Sequence, residues 1–171
     1  GVTLYNGNRN KINLLQTQKS LEAAGFDLEE NKNNIMLFVV NSYLNVLLNK
    51  ESIVIAEEQI LISKSQLEKA QELVNAGEVP RANLLEAEAT LANNEQQLTT
   101  AQNALDLSLL SLAQLLQVPH RGFDIEDVSL TIDSASLIYN DTDAIFNAAL
   151  ASLPEIKSAE IAVENSELSV D

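Results

Sequence analysis

The chain has 171 residues, ten basic against twenty-five acidic, with a net charge of −15, 4% aromatics and neither Cys nor Trp. That length can bury a sizeable core, but five Gly, three Pro and an abundance of Leu, Ala, Glu, Gln and Asn are the composition of long helices. The acidic balance disfavours a nucleic-acid or anionic-membrane partner, and the absence of cysteine excludes disulfides and thiolate metal sites.

Residues 1–8 open with the alternation Gly1-Val2-Thr3-Leu4-Tyr5-Asn6-Gly7. Period-two alternation ending in Asn-Gly predicts the tail of a strand whose start lies outside this sequence.

From residue 9 to residue 76 there is no proline and one glycine, Gly25. This predicts a single helix of roughly 100 Å at 1.5 Å per residue, beyond the globular norm. Its apolar residues recur every seven positions, first as Leu14, Leu21, Leu28 and Ile35, then in a new phase as Val39, Val46, Ile53, Ile60, Leu67 and Val74. A four-residue step between such registers unwinds a left-handed supercoil locally. The uncharged run from Asn33 to Asn49 is too short and too often interrupted by Asn and Ser to span a bilayer, and it reads as buried helix with Phe38 and Tyr43 in the core.

Gly77-Glu78-Val79-Pro80-Arg81 follows. Gly77 suits the left-handed residue that ends a helix, and Pro80 the first position of the next. Val79, before a proline, is pushed out of the helical region. A turn this short makes the two helices antiparallel.

The second helix is expected at 80–117. Leu84, Leu91, Leu98, Leu105 and Leu112 resume the ladder, and a seven-residue apolar repeat is the seam of supercoiled helices. Folding about Val79 sets Leu84 against Val74, Leu91 against Leu67, Leu98 against Ile60 and Leu105 against Ile53. Smaller residues shadow both ladders as Ala56, Ser63 and Ala70, then Ala87, Asn94, Ala101 and Ser108. They read as a second contact face on each helix, as in a closed wall of helices.

Residues 119–152 form a mixed segment expected to cover the uncharged zones. It holds an alternating run at Val128-Ser129-Leu130-Thr131-Ile132 that reads as an edge strand, and Asp141-Thr142-Asp143 as a helix cap. Pro154 opens a last helix over 153–171, with Ile156, Ala159, Ala162, Val163 and Leu168 predicted to share its apolar side. The fold class is therefore mainly all-α, built on a long antiparallel coiled-coil hairpin at 9–118 with its tip at 77–83.

No catalytic set emerges. His120, the one histidine, follows a proline in a surface loop and has no nucleophile-elbow motif before it. A di-iron bundle needs more than one histidine, phosphate-loop motifs are absent, and Glu57-Glu58 and Glu86/Glu88 read as solvated faces. The sequence points to a non-enzyme without cofactor or metal.

Four segments carry a family resemblance. Thr3-Leu4-Tyr5-Asn6-Gly7-Asn8-Arg9, Val40-Asn41-Ser42-Tyr43-Leu44-Asn45-Val46-Leu47, Gly77-Glu78-Val79-Pro80-Arg81-Ala82-Asn83-Leu84-Leu85-Glu86-Ala87-Glu88 and Leu153-Pro154-Glu155-Ile156-Lys157-Ser158-Ala159 occur in this order. Together the chain resembles the TolC-like outer-membrane efflux proteins (outer-membrane factors). Pro80 stands where that family usually has Ser, and Asn83 where it often has Asp.

The resemblance implies a homotrimeric tunnel, a β-barrel in the outer membrane continued by a helical barrel through the periplasm. It would serve drug efflux or type I secretion, fed by an inner-membrane pump through a periplasmic membrane-fusion adaptor. In that setting Gly77, Glu78, Val79, Pro80 and Arg81 form the adaptor-docking tip, or are turn chemistry alone. Arg81 and Asn83 make inter-hairpin gating contacts, or are solvent-exposed polar residues. Two other classes stay open: a structural coiled-coil scaffold, and the hairpin of the adaptor itself.

Overall fold

The computed structural model describes residues 8–126 and 141–168. It contains α1 (Arg9–Asn75), α2 (Arg81–Leu115), α3 (Thr142–Ser152) and α4 (Pro154–Glu167), with no strand among the described residues. The strand expected at the start of the chain lies almost wholly outside these residues, and the one at 128–132 wholly outside. The chain divides into two compact units, residues 38–129 and residues 1–37 with 130–171, and α1 contributes to both.

In the first of these units, the second half of α1 pairs with α2 as a helical hairpin. Val46, Ile60, Leu84, Leu112 and Ala113 are buried, and Val39, Ile53, Leu67, Val74, Leu91, Leu98 and Leu105 are half-buried. All of these but Ala113 belong to the two predicted ladders. Each fully buried Val, Leu or Ile contributes roughly 1.5–3 kcal/mol from removal of apolar surface.

The small residues correct the sequence reading. Ser63 and Asn94 are buried and hydrogen-bonded to each other across the pair, and Ser108, four turns further along α2, is buried as well. Ala56, Ala70, Ala87 and Ala101 are half-buried in the same alternation. The small set is thus the second layer of one seam, three or four residues out of step with the large one, as a heptad's two core positions require. It is not a second face.

The face not engaged in this seam is apolar instead. Leu48, Val54, Ile55, Leu61 and Ile62 of α1 are exposed at seven-residue intervals. Phe38, expected in the core, is also exposed.

In the other unit, α4 lies on the first part of α1. The half-buried positions of α1 here are Ile12, Gln16, Lys19, Ala23, Phe26 and Glu30, again in alternating steps of four and three. Leu14, Leu21, Leu28 and Ile35 point elsewhere, each more than half exposed. Polar groups clip the pair together. Lys19 Nζ lies 2.7 Å from a Glu164 carboxylate oxygen, Ser158 Oγ donates to Asp27 Oδ1 at 2.6 Å, and Asn165 Nδ2 donates to Ser20 Oγ at 3.2 Å. The Lys157 ammonium sits 5.5 Å from the centre of the Phe26 ring, within cation–π range.

The apolar side predicted for α4 is corrected as well. Ala159, Ala162 and Val163 are exposed, while Pro154 and Ile161 are buried and Lys157, Ser158, Asn165 and Leu168 are half-buried. α4 presents its partly polar side to α1 because the α1 positions it meets are themselves polar. Asp141 caps α3 by accepting from the Asp143 N–H at 3.0 Å, and Leu153 separates α3 from α4.

Candidate functional site

The tip is built by two opposed capping solutions. Gly77 has φ +75°, its N–H donates to the Val74 carbonyl at 3.0 Å, and the Glu78 N–H donates to the Leu73 carbonyl at 2.9 Å. This crossed pair closes a helix on a left-handed residue, where glycine escapes the Cβ penalty. A Cβ added at Gly77 would meet nothing within 4 Å, so its surroundings are open.

Pro80 sits at the N-cap of α2 with φ −64° and ψ 149°, one residue ahead of the first helical position expected for it. It makes no side-chain cap bond. The Asn83 N–H donates to its carbonyl at 3.0 Å, which starts the first turn of α2. Gly77, Glu78, Pro80, Arg81 and Asn83 are exposed, and Val79 is half-buried. The turn therefore brings Gly77 through Arg81 together as one open loop end. Arg81 and Asn83 have neither an ion pair nor a side-chain hydrogen bond there among the described residues.

A second constellation lies where α2 ends, and residue patterns did not reveal it. Leu116 closes α2, Gln117 takes φ 57°, and its N–H and that of Val118 donate to Gln114 and Ala113. Pro119 and an exposed turn through His120 follow. The chain then lies across α1 as a strap, residues 123–126. Lys50 Nζ sits 3.0 Å from Asp124 Oδ1 and donates to the Ile125 carbonyl at 2.9 Å, and Tyr43 Oη donates to the Glu126 carbonyl at 2.9 Å.

Tyr43 and Lys50 are seven residues apart, so they stand on one face of α1 and take consecutive strap carbonyls. The Lys50 hydrogen bond, then the Ile125 N–H that donates to Asp124 Oδ1, hold the Asp124 carboxyl below its ordinary range. Sequence reasoning singled out Tyr43 but not Lys50. A lysine between Leu47-Leu48 and Ile53-Val54-Ile55 gives no local sign that the carbonyl it meets is 75 residues away.

Among the described residues, no cluster of three or more His, Cys, Asp or Glu is placed to hold a metal ion, and no helix is long and apolar enough to cross a membrane. The fold and its exposed loop end define a coiled-coil hairpin, a class of protein that acts by laying helices against other helices.

Comparison with known proteins narrows that class. The family model for outer membrane efflux proteins matches residues 1–117, and the chain belongs to that family. Searches of curated proteins and of solved structures returned no match. Family membership gives the chain its general role, a part in efflux channels of the outer membrane. Among the classes left open by the sequence, it favours the channel over the scaffold and the adaptor hairpin.

Proposed function

We propose that this chain is the periplasmic helical portion of a homotrimeric outer-membrane channel. The channel exports drugs or secreted proteins handed over by an inner-membrane pump through a periplasmic adaptor. It works as a conduit, with no catalytic step. The observation that carries the reading is the exposed apolar register on α1. Leu14, Leu21, Leu28 and Ile35 in one unit, and Leu48, Ile55 and Ile62 in the other, repeat every seven residues with no partner helix among the described residues. A sustained heptad face of this kind matches the packing of neighbouring helices, and copies of the chain around a tunnel would supply them.

The tip extends the proposal. The open surroundings of Gly77 leave room for a partner's backbone beside the loop end, and Glu78, Val79, Pro80 and Arg81 would frame it as the adaptor-docking surface. Arg81 and Asn83 would contact neighbouring hairpins and hold the channel shut.

The test uses the full-length protein in cells lacking their own channel. Gly77→Trp abolishes drug resistance while cross-linked trimers persist, and Gly77→Ala, which carries the same backbone penalty without the bulk, retains it. Resistance unchanged in Gly77→Trp refutes docking at the tip. Arg81→Ala raises single-channel conductance if Arg81 closes the pore, and unaltered conductance removes it from gating.

A further inference from the structure

On the side of α1 turned away from α2, Leu48, Ile55 and Ile62 form one exposed column, and Val54 and Leu61 a second beside it. Glu51 and Glu58, both exposed and also seven residues apart, run between the columns. Side chains three and four residues apart on a helix are neighbours. Those neighbours are Leu47, Leu48, Val54 and Ile55 for Glu51, and Val54, Ile55, Leu61 and Ile62 for Glu58. No cation stands at any of these positions, and neither carboxylate takes part in an ion pair among the described residues. Nearer the tip the pattern changes. Glu68 has Lys64 four residues before it and Glu72 has Lys69 three before it, the spacing of a solvated helix surface.

An exposed apolar stripe at heptad spacing is a surface for another helix, and the two carboxylates within it set that helix's charge. A second copy of this face brings like charges together in either direction, which is costly at an interface. In parallel, Glu51 meets Glu51, and in antiparallel about Ile55 it meets Glu58. The α2 of a second copy has nothing to offer them either. From Ala82 to His120 there is no Lys or Arg, and Glu86, Glu88, Glu95 and Asp106 add negative charge. No two of the ten basic residues in the chain are seven positions apart, so no helical stretch of this sequence matches the pair.

We propose that residues 48–62 of α1 dock a basic amphipathic helix that is not part of this sequence. Its lysines or arginines, seven residues apart, face Glu51 and Glu58, and its apolar residues pack on the two columns beside them. The inference rests on the reading of the α1 register as a helix-packing face and names the chemistry of what packs on this part of it. The docking stretch is about 21 Å long at 1.5 Å per residue. Leu48, Ile55 and Ile62 supply affinity through the apolar surface they lose to water. The carboxylates fix register and reject helices of the wrong charge, as electrostatic complementarity does at interfaces. The net charge of −15 draws such a helix towards the chain before contact.

The experiment takes the 171-residue chain and three fluorescent helical peptides of equal length, with leucine at two positions of every heptad and lysine, glutamine or glutamate between them. Anisotropy titration at physiological ionic strength is expected to show saturable, one-to-one binding of the lysine peptide. The glutamine peptide binds several-fold more weakly, and the glutamate peptide more weakly still. Ile55→Ser with Ile62→Ser, two exposed changes that leave the seam intact, abolishes binding of all three. Glu51→Gln with Glu58→Gln gives the lysine and glutamine peptides the same affinity. Glu72→Gln with Glu86→Gln, which changes the net charge equally but away from the face, preserves the difference. Absence of saturable binding overturns the proposal. So do equal affinities for the lysine and glutamine peptides in the unaltered chain, or a difference that survives Glu51→Gln with Glu58→Gln. A chain that dimerises in sedimentation, excludes the peptides and returns to monomer in Ile55→Ser with Ile62→Ser would show that a second copy takes the face, and overturns it too. Peptide binding is read on the isolated chain, so its failure leaves the channel reading to the resistance and trimer measurements.

Discussion

Asn94 of α2 donates its side-chain N–H to the hydroxyl of Ser63 of α1 in the middle of a mainly apolar seam, and both residues are buried. Ser63 passes its own hydrogen to the Gln59 carbonyl at 2.6 Å, so its lone pairs are what Asn94 meets. A polar layer at a core position costs stability and gains register, because any slip of one helix along the other strands a buried amide among apolar side chains.

The consequence is an asymmetry between single and double replacements. Ser63→Ala leaves the Asn94 donor unpaired and is expected to cost about 1–3 kcal/mol. Ser63→Ala combined with Asn94→Leu removes both polar groups, so the hairpin is expected to recover much of that loss or exceed the parent stability. Urea unfolding of the three chains checks the ordering. Disulfide trapping between cysteines placed along the two helices then reads whether the double variant holds one register or several.

The two ends of the seam use the same cap with different residues. Gly77 and Gln117 both have positive φ, yet only the first is a glycine. Gln117→Gly is expected to stabilise the end of α2 by up to about 1 kcal/mol by relieving the left-handed strain, and Gly77→Ala to destabilise the tip by a similar amount. Thermal melting of each variant gives the sign. Equal shifts in the same direction would contradict the shared cap geometry.

The seam between Val39 and Leu112 was legible in the sequence because a heptad states both the face and its partner once the turn at Gly77–Pro80 is found. The same logic does not find the contact face of the first part of α1. Leu14, Leu21, Leu28 and Ile35 keep the period perfectly, but the face that meets α4 is Ile12, Gln16, Lys19, Ala23, Phe26 and Glu30, which is half polar. Periodicity locates an apolar stripe without saying whether this chain covers it. α4 shows the converse, where Ser158 and Asn165 pack inward because their hydrogen-bond partners are on α1. The strap was illegible for a different reason. Its anchors are backbone carbonyls taken by Tyr43 and Lys50, and a carbonyl has no sequence signature.

The strap and the α4 clip respond to pH in opposite directions. Lys50 holds the Asp124 carboxyl below its ordinary range. The folded chain therefore binds that proton less tightly than the unfolded chain. The ion pair contributes fully above the ordinary carboxyl value of about 3.9 and is lost as pH falls through the lower folded value. Lys19 is raised above its ordinary value, chiefly by its hydrogen bond to Glu164. Its contribution is complete below about 10.4 and is lost as pH rises through the higher folded value. Asp124 is exposed and Lys19 only half-buried, so the effects are small and screened by salt. Amide exchange of residues 123–126 is expected to accelerate in acid beyond the intrinsic pH trend, and Lys50→Met to produce the same opening at neutral pH. Insensitivity of those amides to Lys50→Met would show that Tyr43 alone suffices.

Leu21 separates local stability from assembly. It is 76% exposed on α1 and belongs to the register left uncovered by α4. Removing an exposed apolar side chain from a monomer changes stability by less than about 0.5 kcal/mol, so Leu21→Ser with Leu28→Ser is expected to leave the melting temperature of the isolated chain nearly unchanged. If the register is covered by neighbouring helices in the full-length channel, the same pair of changes removes two packed side chains per copy. Detergent-resistant trimers should then fall in yield or dissociate at lower temperature. Quantitative cross-linking of parent and variant in membranes makes the comparison. An unaffected trimer together with an unaffected monomer would show that the Leu14–Ile35 stripe faces solvent in the assembly, and the packing face would have to be sought among Leu48, Ile55 and Ile62 instead.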